Sequence, residues 1–215
     1  MKSAVEQRFN RLMLRLSWAL LACSALFAWG CVIRACHDGH MIPVHAAAVA
    51  IEQAVDSIAT EVHFSPAENL EAIDLAQLDQ AKKSIDIATF ANDDAPIADE
   101  LVKLAKRGVT IRIYRDALQY QGELAHGQKG GVDLNDLFKG QPNIQLRVKG
   151  VTALQHLKAY EVDGAVLREG SANWSAQGEK VQDNSLVLIR DPAAVARFEA
   201  DFEAMWNRPT NVTVQ

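Results

Sequence analysis

The sequence predicts an α/β domain built on a mixed, largely parallel β-sheet flanked by helices and preceded by an N-terminal transmembrane or signal helix. Three observations carry this. Two β-like runs, 84–90 and 109–114, bracket a helical pattern at 95–107, and strand, helix, strand in that order reads as a right-handed crossover in a parallel sheet. Further short strand-like runs recur at 144–148, 156–162, 165–168 and 185–190. An uncharged apolar run at 16–33 stands apart from all of them.

That run, LSWALLACSALFAWGCVI, follows Lys2, Arg8, Arg11 and Arg15. As a helix it would reach roughly 27 Å, close to the ~30 Å of bilayer hydrocarbon. Positive charge before it, with only Arg34 soon after, places the N-terminus in the cytoplasm and sends the rest outward, into the periplasm of a bacterial cell. A cleaved signal peptide competes, since small residues recur at Ala46, Ala47 and Ala48, but RACHDGH intervenes and favours an uncleaved anchor. The expectation is an inner-membrane protein with its domain in the periplasm, or one secreted there after cleavage. The chain thus divides into an anchor or signal peptide at 1–36, a spacer at 37–62, a folded domain at 63–208 and a tail at 209–215.

Composition sets limits on function. With 215 residues, 49% hydrophobic and 23% charged, the chain can bury one domain plus an appendage. Cys23, Cys31 and Cys36 all lie near the N-terminus, which excludes a disulfide scaffold or a cysteine zinc site from the later domain. His37, His40 and His45 match no ordinary zinc spacing and read as a polar spacer. A net charge of −5 does not advertise a polyanion binder, so any nucleic-acid affinity must come from a local patch.

Element by element, the spacer carries Ile51, Val55 and Ile58 at helical spacing. Ser65-Pro66-Ala67-Glu68 offers a capping serine, a proline at the first helical position and a glutamate at the third, predicting a helix over 66–83. The second helix, 95–107, stops at Gly108, and its Lys103, Lys106 and Arg107 read as a solvated face. Residues 116–140, rich in Gly, Gln and Asp, read as loop with a short helix at 134–138. Asp191-Pro192 starts a closing helix whose stripe of Val195, Phe198, Phe202 and Met205 is core.

Chemistry concentrates in QHLKAYEVD, 155–163, and the nearby REGSANWS. In a strand, His156, Lys158 and Tyr160 share one face. Asp163-Gly164 makes a tight turn into the next strand, and a hairpin there would return Ser171 and Asn173 to His156 and Lys158. Imidazole, ammonium, hydroxyl and amide together suit a phosphodiester, because donors can hold non-bridging oxygens while a neutral imidazole attacks phosphorus. This chemistry requires no metal or cofactor. Trp174, next to the cluster, can either stack on a base or lipid tail or pack beneath the loop. Arg112, Arg115, Arg147 and Lys149 are the candidates for a basic rim.

The pattern His156-x-Lys158-x-x-x-x-Asp163, followed by Gly170-Ser171-x-Asn173, resembles the HKD motif of the phospholipase D superfamily. The resemblance extends over about 64–206, and is nearest to the small bacterial periplasmic Nuc-type endonucleases, which carry one such motif and work as dimers. It implies a phospholipase D-like sandwich with His156 as nucleophile, Lys158 and Asn173 as phosphate ligands, Ser171 as a supporting hydrogen-bonding residue and Asp163 as a carboxylate fixing local structure. It also implies a homodimer, in which a second His156 donates a proton to the leaving oxygen. Related nucleases place a glutamate shortly before the last strand to orient the histidine; Asn184 stands there, with Asp183 and Glu179 as possible substitutes. The expected function is a metal-independent, non-specific endonuclease acting on DNA or RNA through a phosphohistidine. The alternatives are a membrane-anchored phospholipase D or transphosphatidylase acting on phospholipid, and a catalytically weakened binding protein of the same fold.

Overall fold

The structure is a computed structural model that describes residues 60–128 and 135–214. The run at 16–33 and the spacer up to residue 59 lie outside the described residues, among which no helix is long and apolar enough to cross a membrane. In chain order the elements are β1 Thr60–Ser65, α1 Leu70–Leu78, β2 Ser84–Thr89, α2 Ala95–Lys106, β3 Thr110–Arg115, α3 Ala117–Gln128 and α4 Asn135–Phe138. There follow β4 Ile144–Val148, β5 Lys158–Val162, β6 Val166–Gly170, α5 Ala176–Lys180, β7 Asn184–Ile189, α6 Pro192–Trp206 and β8 Val212–Thr213.

One mixed sheet runs β1-β7-β6-β5-β2-β3-β4-β8. Strand alternation divides its faces. Ile85, Ile87, Ile111 and Ile113 join Ile97, Leu101 and Leu104 of α2 in one core, while Ala88 and Tyr114 face Val195, Phe198, Phe202 and Trp206 of α6 in the other. The central β5 is buried along its whole length.

The sheet is mixed, as expected, but not largely parallel. Only β2 with β3 and β3 with β4 run parallel, because only those pairs are joined by helical crossovers; the remaining neighbours are antiparallel. The first helix is shorter than 66–83. Ser65 donates its hydroxyl to the Gln182 carbonyl at 2.7 Å instead of capping, and Asn69 takes the cap by accepting from the Ala72 amide at 3.3 Å. Part of the expected spacer is strand β1, an edge strand too exposed to stand out beside an alanine-rich run. The expected loop after Asp116 holds the twelve-residue α3. Asp116 caps it by accepting from the amides of Leu118 and Gln119, each at 3.0 Å, a signal hidden by the glycines and glutamines that follow. In the tail, Val212–Thr213 pairs with β4.

Two polar devices hold the motif's scaffold. The hairpin of β5 and β6 turns at Asp163 and Gly164, with φ of 57° and 67°, and the Ala165 amide donates to the Val162 carbonyl at 2.9 Å. Asp163's carboxylate accepts from the amides of Lys82, Lys83 and Ser84 at 2.8, 2.7 and 2.9 Å. Burial pushes this carboxyl up, but the three amides and the Lys83 charge outweigh it and leave it below its ordinary value.

The second device lies under the sheet's motif end. Arg168, 1% exposed, donates to Asp74, 0% exposed, through Nε at 3.1 Å and Nη2 at 2.9 Å. Its Nη1 donates to the Lys158 carbonyl at 2.7 Å, and Asp74 also accepts from the Tyr160 hydroxyl at 2.8 Å and the Trp174 indole at 3.1 Å.

Removing one member of the buried pair strands a charge. Asp74→Ala should cost about 3–5 kcal/mol, whereas Asp74→Leu with Arg168→Met should cost less than the single change, read from urea denaturation midpoints. Asp163→Ala should cost about 2–3 kcal/mol and Asp163→Asn less, since asparagine tolerates the left-handed backbone. Because the folded carboxyl is depressed, Asp163's contribution is full above its unfolded value of ~3.9 and fades as pH falls through the lower folded value. A wild-type minus Asp163→Asn difference that is flat down to pH 2 would contradict this.

Candidate active site

The segment between β4 and β5 presents the motif histidine. Gln155 anchors it: its amide donates to the Asp116 carboxylate at 2.9 Å, its side-chain Nε2 to the Tyr114 carbonyl at 3.4 Å, and its Oε1 accepts from the Leu157 amide at 2.6 Å. Gln155 is buried while His156 and Leu157 stand exposed. The expected strand over 156–162 starts only at Lys158, so His156 is placed by this anchored segment and not by strand alternation. No described residue hydrogen-bonds its imidazole, and its ring contact is Phe90, edge-on at 4.9 Å and 62°.

Lys158 comes to the same place. Its ammonium donates to the His156 carbonyl at 2.8 Å and lies 5.1 Å from the centre of the Phe90 ring. Burial first, and then the charge of Arg168, lower its pKa. Tyr160, grouped with them by alternation, instead points into the core at Asp74.

The other half of the motif arrives on the return strand. Gly170 is required there, because a Cβ would meet the Ser185 carbonyl at 2.1 Å. Ser171 donates to Asn184 Oδ1 at 2.9 Å and accepts from the Ser185 amide at 3.0 Å. Asn173 is half-buried, and its Oδ1 meets no donor. Trp174 locks the loop beside the Phe90 end of β2: its carbonyl accepts from the Asp93 amide at 3.0 Å, and it is core, tilted on Tyr160 at 5.6 Å, not a stacking platform.

Within this chain the three residues offered as orienting partners make no hydrogen bond to the His156 ring. Asn184 is engaged with Ser171 and donates to the Gly178 carbonyl at 2.8 Å. Asp183 is exposed beside a shallow depression with Phe64 and Ser171. Glu179 is fully buried, 4.0 Å from Arg168, and is pushed up to about 10 by burial and by Asp74, so it is a neutral acid at physiological pH. Asp163 serves the turn, which is the structural role the motif resemblance implies.

Sequence reading missed Asp74, Arg168, Gln155 and Phe90. Only Phe90 had a signal, its position directly after a β-like run; the others are recognisable only once distant elements pack. Among the described residues one carboxylate group could converge on a cation: Glu71, Asp94 and Glu179, with oxygens within 4.8 Å. The Lys180 ammonium already sits on Glu71, burial and Asp74 push Glu179 up to about 10, and burial followed by Glu71 pushes Asp94 up to about 6, so part of the group's charge is already offset.

Residues 75–206 match the family described as cardiolipin synthase, PLD-like domain. Among curated proteins, the mitochondrial cardiolipin hydrolase of Chlamydomonas reinhardtii is 31% identical over 133 residues, covering 62% of this chain and 56% of that protein. That of Drosophila melanogaster is 27% identical over 150 residues, covering 60% and 56%. The chain thus spans little more than half the length of the curated relatives it matches. Among solved structures, the phospholipase D family member Nuc from Salmonella typhimurium superposes with a TM-score of 0.62 at 24% identity, covering 73% of this chain and 98% of that one. NucT from Helicobacter pylori follows the same fold with a TM-score of 0.60 at 20% identity, covering 69% and 95%. On the match over residues 75–206 and the shared fold, the chain belongs to the family described as cardiolipin synthase, PLD-like domain.

Proposed function

We propose that the protein is a metal-independent phosphodiesterase that acts through a phosphohistidine on His156 in a homodimeric site, and that its substrate is a phospholipid. The supporting observation is the apolar surface around the histidine. Leu154 and Leu157 flank it exposed, and a cleft of about 530 Å³ opens beside its segment, walled by Leu118, Tyr120, Leu124, Val148, Val151 and Val212. Asp116 joins the two, lining the cleft while accepting from the Gln155 amide. The cleft meets the sheet at β4 and β8, the nearer of them about three strand spacings, or ~14 Å, from the strand of Lys158, within reach of a tail on a diester held there. Each methylene buried in such a surface contributes ~0.8 kcal/mol.

In this reading the neutral imidazole of one His156 attacks phosphorus, and the bond to the alcohol oxygen breaks. A protonated His156 from the second protomer gives that oxygen its proton. Water, deprotonated by the same second histidine, then attacks phosphorus and releases His156; an alcohol in place of water gives transfer instead of hydrolysis. Lys158 and Asn173 hold the non-bridging oxygens, with Ser171 supporting the loop. Lys158 has no carboxylate partner among the described residues, which leaves its charge for phosphate.

Nucleic acid, placed first by the sequence, draws less support from the surface. Arg112 is paired with Asp86 and Glu203, and the fully buried Arg115 with Glu123. Arg147 is bonded to the Trp206 carbonyl and stacked on its ring, and Lys149 is bonded to the Leu154 carbonyl. A polyanion gains affinity from free cations along its track. One observation keeps nucleic acid as the second reading: Phe90, half-exposed beside the histidine, could stack a base.

The test offers the full-length protein in detergent micelles either anionic phospholipid or single- and double-stranded DNA and RNA, all in excess EDTA. Phospholipid should be cleaved, and His156→Ala should lower turnover by a factor of ~10⁴ or more. Cleavage of nucleic acid with lipid untouched would move the assignment to the second reading. Activity abolished by EDTA and restored by a divalent ion would sink the metal-independent mechanism.

A further inference from the structure

We infer that Phe90 is the positioning residue of this site, orienting the His156 ring and holding the Lys158 ammonium. This rests on His156 being the nucleophile. An imidazole that must present one nitrogen to phosphorus is usually fixed by a hydrogen bond to the other. Within this chain's described residues His156 has none: Asn184 bonds Ser171 and Gly178, Glu179 is buried against Arg168, and Asp183 is exposed without a bond to the ring.

What does touch the imidazole is Phe90, with ring centres 4.9 Å apart and planes at 62°. The same ring lies 5.1 Å from Lys158 Nζ. One aromatic side chain therefore contacts both catalytic groups, and its negative π-face favours cationic neighbours, including a histidine that becomes cationic on phosphorylation. Phe90 is itself held. It follows β2 directly; Thr89 donates its hydroxyl to the Ala91 carbonyl at 2.8 Å, and Asn92 and Asp93 are laced to Trp174, one residue beyond Asn173. The ring thus couples the histidine and lysine on one side to the asparagine loop on the other.

A positioning ring differs from a volume filler and from a substrate contact in ways that can be measured. The full-length protein and its Phe90→Leu, Phe90→Tyr and Phe90→Ala variants would be assayed on a small soluble diester, bis(4-nitrophenyl) phosphate, which has no acyl chain. Leucine and alanine should lower kcat about tenfold with KM within about twofold, and tyrosine should restore kcat to within about threefold of the parent. Leucine performing as well as phenylalanine would reduce the ring to a filler and overturn the inference, as would a loss confined to KM. Should Phe90→Ala not fold, the contrast of leucine with tyrosine decides alone. The underlying assignment fails separately, if His156→Ala hydrolyses the diester as fast as the parent.

Discussion

Asp74 and Arg168 form the buried ion pair on which the site's geometry depends. Arg168 lies between the two halves of the motif in sequence and joins them in space, with two of its donors on Asp74 and a third on the Lys158 carbonyl. Asp74, from α1, gathers the Tyr160 hydroxyl and the Trp174 indole as well. Taking both charges out of water is costly, and the pair recovers this only because nearly every donor and acceptor is satisfied. What it secures is uniqueness: helix, central strand, return strand and asparagine loop have one way of meeting.

Around the pair, negative charge is handled by protons and lysines. Glu179, raised to about 10, stays neutral beneath the loop, and Lys180 neutralises Glu71 at the rim. Lys158, its pKa lowered by burial, contacts a carbonyl and an aromatic ring and has no carboxylate partner among the described residues. Of the cations offered as a rim, Arg112 and Arg147 lie on the rings of α6 and Arg115 is buried. Exposed leucines flank the histidine instead.

Much of this was legible from the residues alone, and the reason is locality. Asp163-Gly164 encodes its own turn, Gly170 is required by an approaching carbonyl, and the two halves of the motif lie on adjacent strands of one hairpin, so their meeting needs no long-range information. The parallel strands β2 and β3 were equally clear, because a helix of good periodicity connects them. The illegible parts are non-local. Arg168 reads as an ordinary strand cation and Asp74 as an ordinary helix acid until α1 packs on the sheet. The cations expected to form a rim took their partners from α3, α6 and the histidine's own segment. Edge strand β1 is exposed nearly throughout, β8 is too short to carry a pattern, and α3 hides behind a loop-like composition.

The central claim is that His156 forms a covalent bond to phosphorus. The direct measurement is acid-free rapid quenching of the full-length protein during turnover, followed by peptide mass spectrometry under alkaline conditions that preserve phosphorus–nitrogen bonds. The account predicts an adduct on the peptide containing His156, present only with substrate and absent from His156→Ala. Steady turnover that leaves that peptide unmodified, with an adduct on another residue, would contradict it.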